Sequence, residues 1–84
     1  MTTAKLLTPA VNYAVVQLPE RHFPGVVVQG DSLHGLVGLL ESALVDDDER
    51  LDLIGEALDI LKSAQAGYEA TCAAAGISLP YSKR

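Results

Sequence analysis

The sequence has few of the residues on which disulfide-rich, zinc-binding or membrane-spanning proteins depend. It contains one Cys, no Trp and only 5% aromatic residues. A single Cys excludes an internal disulfide and a Cys-rich zinc site. The absence of disulfides is typical of proteins in a reducing compartment. No apolar run approaches the roughly 18–20 residues of a membrane span, and the first residues lack the apolar core of a signal peptide. We therefore expect a cytoplasmic protein that does not bind membranes.

Basic residues are also scarce, since 6 Lys and Arg stand against 11 Asp and Glu and give a formal net charge of −5. A general nucleic-acid binder normally carries a basic face, so we predict no nucleic-acid partner. The charge is uneven. Between residues 41 and 72, nine acids and two bases leave a charge of −7. The acids indicate a solvated helix face that would repel an anionic ligand.

The 84 residues, 49% of them hydrophobic, are enough for one small domain and leave no room for a second. Residues 12–18 and 25–29 are rich in β-branched residues and are joined by a loop of about six residues, which predicts an antiparallel hairpin. Residues 1–11 form either a third edge strand or a loosely held arm, because Pro9 cannot donate to a ladder. Residues 77–84 are predicted to be an extended tail.

Two helices are predicted after the hairpin, which makes the fold class α+β with the order ββαα. Asp31 and Ser32 are good N-cap residues, and an apolar stripe with helical spacing follows them. The stripe consists of Leu33, Leu36, Leu40 and Leu44. Asp46 and Glu49 have the spacing of a capping box, which opens a second helix that ends at Gly76 in the left-handed conformation. This helix would be about 40 Å long.

The second helix carries two apolar seams that together cover roughly 220° of its circumference, where a surface helix normally needs about 100°. The first seam has mostly large residues: Leu51, Ile54, Leu58, Leu61, Gln65, Tyr68, Cys72 and Ala75. The second is mostly small, and we predict that it forms the interface of a homo-oligomer through Leu53, Ala57, Ile60, Ala64, Gly67 and Thr71. The alternative is a monomer in which the first helix and the hairpin cover the two seams.

No motif for catalysis is present. Cys72 occupies a core seam, where a free thiol behaves as a small hydrophobe. His22 and His34 lack the spacing of a zinc site, and there is no phosphate-binding or nucleophile-elbow motif. We predict that the protein is not an enzyme and uses neither metal nor cofactor.

The densest polar cluster lies in the loop 20–23 and the turn 29–32. Its candidate ligand-binding residues, with Tyr13, are Arg21, His22, Phe23, Gln29, Asp31 and Ser32. Arg21 and His22 can donate to a phosphate or a carboxylate, and the aromatic rings can stack on a base. About 16 Å of strand separates the loop from the turn, so the two would meet when copies of the chain assemble. The alternative is a solvated loop with Phe23 in the core.

The run from Asn12 to Leu33 resembles a family of short bacterial and phage-associated proteins classed as a domain of unknown function. The shared pattern is NYAVVxLPxRxFPGVVxQGDSL, followed by two helices, and it covers about a quarter of the chain. The tail 79–81 is also similar. The resemblance implies a compact α+β domain and draws attention to Arg21, Gln29 and Asp31. It implies no activity.

Two hypotheses for the function follow. The first is a non-enzymatic homo-oligomer that sequesters an anionic or nucleotide-type small molecule at its subunit interfaces. The second is a protein-interaction module, such as an immunity or regulatory protein, whose acidic helix face binds a basic partner. The first is the working hypothesis.

Overall fold

The computed structural model describes residues 3–82, so residues 1–2 and 83–84 of the predicted arm and tail lie outside the described part. The elements are β1 (Lys5–Leu6), β2 (Val15–Gln17), β3 (Gly25–Val26), α1 (Gly30–Val45) and α2 (Arg50–Ala75). The strands form one antiparallel sheet in the order β1-β2-β3. The predicted α+β fold with a long second helix is confirmed, and of the two possibilities for residues 1–11 the structure shows the edge strand, β1. Across residues 3–82, no helix has the length and apolar character needed to cross a membrane.

The strands are shorter than the sequence predicts. Tyr13 has a φ of 62° and Glu20 a φ of 64°, and residues in this region of φ/ψ space cannot continue a strand. These two residues therefore limit β2 at both ends. The hairpin pairing continues one step beyond β3, because the backbone N–H of Val27 donates to the carbonyl of Ala14 at 2.8 Å.

Both helices begin at residues other than the predicted ones, whereas α2 ends where the sequence predicts. α1 starts at Gly30, slightly before the predicted caps, and the Asp31 carboxylate accepts from the N–H of Ser32 at 2.8 Å. Asp46 Oδ1 accepts from the backbone N–H of Glu49 at 3.0 Å, so it caps the turn that precedes α2. α2 ends at residue 75, and Gly76 has the predicted left-handed conformation with a φ of 70°.

Arg50 joins the start of α2 to the end of α1. Its Nε donates to the carbonyl of Ala43 at 2.7 Å, and its Nη2 donates to the carbonyl of Leu44 at 3.2 Å. The same Nη2 forms an ion pair with Asp47 at 2.7 Å. The last carbonyls of a helix have no partner inside the helix, so this side chain satisfies groups that would otherwise depend on water.

The sheet packs on the C-terminal half of α2. Val15, Tyr68 and Cys72 form a buried cluster, against which three partly buried residues pack: Leu7, Ile77 and Leu79. The Tyr68 hydroxyl donates to the carbonyl of Pro24 at 2.9 Å. This buried hydrogen bond fixes the loop before β3 onto the helix.

α1 packs along α2, and the contact buries small residues. Ala43 on α1 and Ala57 on α2 are buried, together with Leu36. The other leucines of the predicted α1 stripe, Leu33, Leu40 and Leu44, are exposed. Small side chains permit close helix–helix approach, so the two alanines and Leu36 are buried while the other three leucines of the stripe stay exposed.

The seams of α2 are covered differently from what we expected. Ala57 of the small seam is only 2% exposed within the chain, and Leu53, Ile60 and Ala64 are half-buried. The N-terminal half of the large seam is exposed, and it comprises Leu51, Ile54, Leu58 and Leu61. The surface left free on the N-terminal half of α2 is therefore the large seam.

Candidate functional site

Each of the two helices exposes an apolar stripe, and we call the two stripes together the apolar face. It comprises Leu33, Val37, Leu40 and Leu44 of α1 and Leu51, Ile54, Leu58 and Leu61 of α2. These side chains are between 42% and 83% exposed. The two stripes meet at a groove of about 350 Å³, which Val37 and Leu40 line from one helix and Ile54 from the other. Contiguous exposed apolar surfaces of this kind mark interaction sites.

The chain has more surface than a compact monomer of its mass. Its accessible surface is 6254 Å², whereas a folded monomer of this mass exposes about 4,800 Å². The radius of gyration is 15.2 Å, compared with about 12 Å for a compact domain of this length. The surplus of about 1,450 Å² exceeds the roughly 800 Å² that each partner contributes to a standard interface.

The groove of the apolar face carries charges of both signs. Glu41 and Arg50 line it, and Arg50 is ion-paired with Asp47. The net acidic charge of residues 41–72 opposes binding to an anionic surface such as a phospholipid membrane. A protein therefore suits the face better than a lipid does.

The predicted loop residues Arg21, His22 and Phe23 are exposed. Gln17 organises this loop, because its Nε2 donates to the carbonyl of Arg21 at 2.6 Å. The rings of His22 and Phe23 meet edge to face, with their centroids 4.5 Å apart. Phe23 is 37% exposed, so it is not the buried core residue of the alternative interpretation.

The predicted turn residues lie at the start of α1, where Gln29 and Asp31 are exposed and Ser32 is half-buried. Asn12 Nδ2 donates to Ser32 Oγ at 2.6 Å and joins the segment before β2 to this turn. Sequence reasoning missed Asn12, because a contact across 20 residues leaves no local signal. Within residues 3–82, no hydrogen bond or ion pair joins the loop residues 21–23 to the turn.

Tyr13 is the predicted ligand residue that the structure places at a cavity. It lines a groove of about 590 Å³ between the segment before β2 and α2, together with Asn12, Asp59 and Ser63. It also lines a second groove of about 370 Å³, whose wall includes Tyr68. A non-glycine residue with a φ of 62° is strained, and such residues cluster at functional sites.

The larger groove offers hydroxyl groups and one carboxylate, Asp59. No Lys, Arg or His from the part of the chain that the structure describes lines it. An anion in this groove would therefore need its counter-charge from outside, and the groove by itself suits a neutral or cationic ligand.

Two titratable groups are part of the core. Burial raises the pKa of Tyr68 above its usual value of 10.0, and the neighbouring Cys72 and Tyr81 raise it further. The phenol therefore stays protonated and keeps donating to Pro24. Cys72 is free and buried. Within the described residues, no group of three or more His, Cys, Asp or Glu side chains could hold a metal ion.

Comparison with known proteins extends the resemblance seen at residues 12–33. No curated protein and no solved structure matches the chain. A family of unknown function, DUF6959, matches residues 1–81. This match spans nearly the whole sequence, so the chain belongs to the DUF6959 family of unknown function.

Proposed function

We propose that the chain is a non-enzymatic binding protein that acts as a homo-oligomer and that its copies meet at the apolar face. The observation that carries the proposal is the exposure of eight large apolar side chains in one surface on α1 and α2. Burying such a side chain contributes about 1.5–3 kcal/mol, so leaving all of them in water is costly. This surface replaces the small seam as the expected contact.

The spacing of the apolar face favours a second copy as its occupant. Its residues recur at intervals of three and four on both helices, the pattern by which antiparallel helices pack in bundles. Two helix pairs that meet face to face would form a four-helix arrangement. The surplus surface of the chain is large enough for an interface of standard size.

A charge placed in the centre of the apolar face tests this proposal. We expect the wild-type chain to sediment at twice 8.9 kDa or more at micromolar concentration, and Leu58→Glu to sediment as a monomer. The matched control is Ala66→Glu, which adds the same charge to an exposed position outside both seams of α2. Circular dichroism checks that both variants fold. A wild-type particle of 8.9 kDa, or an unchanged mass for Leu58→Glu, would contradict the proposal.

A second candidate function is the binding of an anionic or nucleotide-type small molecule, for which the groove at Tyr13 supplies an aromatic ring and hydroxyl groups but, within residues 3–82, no positive charge. A base could stack on the Tyr13 ring, and the hydroxyl groups of the groove could bind a sugar. The counter-charge for a phosphate would come from Arg21 or His22 of a neighbouring copy. A cytoplasmic protein of bacterial or phage origin could sequester a signalling nucleotide in this way.

A thermal-shift screen against nucleotides tests the second candidate. At a ligand concentration of 100 Kd, the expected stabilisation is about 2.7 kcal/mol. Arg21→Ala should abolish the shift, whereas Lys5→Ala, which removes an equal charge from an exposed site, should preserve it. A shift that survives Arg21→Ala would exclude the proposed role of this residue.

The acidic-face hypothesis stays a prediction. Two of its acids already have local roles, since Asp46 caps the turn before α2 and Asp47 pairs with Arg50. Asp48, Glu49 and Asp52 are exposed and remain available to a basic partner.

A further inference from the structure

In the part of the chain that the structure describes, the outer edge of β3 has no partner strand, since β3 pairs only with β2. Backbone groups alternate along an antiparallel strand, so residues on either side of one that faces β2 must face the opposite edge. Because the N–H of Val27 donates to Ala14 of the β2 side, the N–H and C=O groups of Val26 and Val28 point outward. Among residues 3–82, the N–H of Val28 has no hydrogen-bond acceptor.

The two edges of the sheet differ in their side chains. β1 carries the charged Lys5 and is followed by Pro9, two features that protect an edge from pairing with another chain. The opposite edge reads Gly-Val-Val-Val over residues 25–28 and has no charge. Its valines are between 36% and 41% exposed. An open, uncharged β edge is a ready template for another strand.

This open edge continues into the apolar face. Val26 and Val28 line the groove of about 370 Å³ together with Leu61, which belongs to the apolar face, and Tyr81 of the tail. A strand added along β3 would therefore lie beside the apolar face, through which the copies of the proposed oligomer meet. One interface could cover both.

We propose that two copies of the chain pair antiparallel along β3, about a two-fold axis that passes midway between Val27 and its equivalent in the partner, and so form one six-stranded sheet. This inference rests on the proposed homo-oligomer and specifies its contact. Val26 would pair with Val28 of the partner subunit, and Val28 with the partner's Val26. Each of the two pairs exchanges two hydrogen bonds, because all the groups involved point outward.

The sequence around β3 selects this register. A shift by two residues in one direction would place Pro24, which has no N–H, opposite Val28 of the partner subunit. A shift in the other direction would bring Gly30 into the pairing, where α1 has already begun. Only the register centred on Val27 uses every outward-facing group of the extended segment. The two-fold symmetry makes the edge complementary to itself.

Disulfide cross-linking tests both the pairing and its register. In a Cys72→Ala background, Val27→Cys would face its own copy across a non-hydrogen-bonded pair with Cα atoms about 4.5 Å apart. A disulfide accepts about 4.4–6.8 Å. The matched controls are Val26→Cys and Val28→Cys, whose equivalents in the partner would lie about 8 Å away. Under mild oxidation, we expect a covalent dimer from Val27→Cys and little from either control.

Val28→Pro provides a second test that does not depend on thiol chemistry. It removes an N–H that has no acceptor within the described residues, so the fold of each copy should persist by circular dichroism. The dimer dissociation constant should rise about tenfold or more, because each dimer loses two hydrogen bonds. An unchanged constant would overturn the pairing.

The outcomes separate this inference from the proposed function. If sedimentation shows an oligomer but Val27→Cys forms no covalent dimer, the β3 pairing is wrong and the apolar-face oligomer stands. If Val26→Cys or Val28→Cys forms the dimer instead, the register is wrong. If the wild-type chain is a monomer, both proposals fail.

Discussion

Tyr68→Ala is expected to lower the free energy of unfolding by about 3–5 kcal/mol, as aromatic-to-alanine changes in a core generally do. Tyr68 belongs to the small cluster that holds the sheet on α2, and it contacts both Val15 and Cys72 in that cluster. Native domains have a total stability of about 5–15 kcal/mol. The variant should therefore be largely unfolded in moderate urea, which circular dichroism at 222 nm measures.

Tyr68→Phe separates the hydroxyl from the ring. It leaves the buried carbonyl of Pro24 without its donor, which we expect to cost about 1–3 kcal/mol. The matched control is Tyr81→Phe, because the Tyr81 hydroxyl donates to Glu69 at 3.1 Å on the exposed surface. This control should change stability by less than about 0.5 kcal/mol. Equal stability of Tyr68→Phe and the wild type would contradict the role of the hydrogen bond.

The raised pKa of Tyr68 adds a pH dependence to this prediction. The folded chain holds the phenol proton more tightly than the unfolded chain, because burial raises the pKa above 10.0. The stability that the buried Tyr68 phenol adds is complete below about pH 10, where the phenol is protonated in both states. It is lost as the pH rises through the higher pKa of the folded chain. The advantage of the wild type over Tyr68→Phe should therefore shrink when urea titrations are repeated above pH 10.

The double variant Gly35→Ala/Gly67→Ala is expected to raise the free energy of unfolding by about 2 kcal/mol, since glycine in a helix costs about 1 kcal/mol relative to alanine. Both glycines are exposed, and an added Cβ would meet no atom within 4 Å at either position. Each kcal/mol shifts the Tm of a small domain by about 4–8 °C. Differential scanning calorimetry measures the rise.

Gly76→Ala is the contrasting variant. Its site has equal space, but the φ of 70° strains any residue with a Cβ, so we expect a loss of about 1 kcal/mol. Within the described residues, no atom lies within 4 Å of a Cβ added at Gly35 or Gly38 of α1. A loss of stability in Gly35→Ala would contradict the prediction and indicate an approach by a second copy.

The sequence predicts the helices well and the strand ends poorly, for local reasons. The end of α2 is encoded by Gly76, which adopts the left-handed conformation without strain. The ends of β2 depend on positive φ values at Tyr13 and Glu20, and neither residue type favours them. No local sequence pattern marks these two positions, so the sequence alone does not predict where β2 ends.

The candidate site was harder to predict, because it depends on which of two apolar seams meets α1. Hydrophobicity favours the large seam, yet Ala57 of the small seam is buried, as is Ala43 of α1. Three of the four leucines that the pattern assigns to the core on α1 are therefore exposed. Periodicity identifies a stripe, but it does not identify the surface that the stripe contacts.

The hydrogen bond between Tyr68 and Pro24 also bears on the order of folding events. It joins positions 44 residues apart, whereas α1 and α2 are separated by a short turn that Arg50 closes. Contacts between distant positions form slowly, because closing a long loop costs conformational entropy before the contact can stabilise the chain. We therefore expect the helical hairpin to assemble first and the sheet to dock onto it last, which makes the strands the first part of the chain to detach when the native state opens.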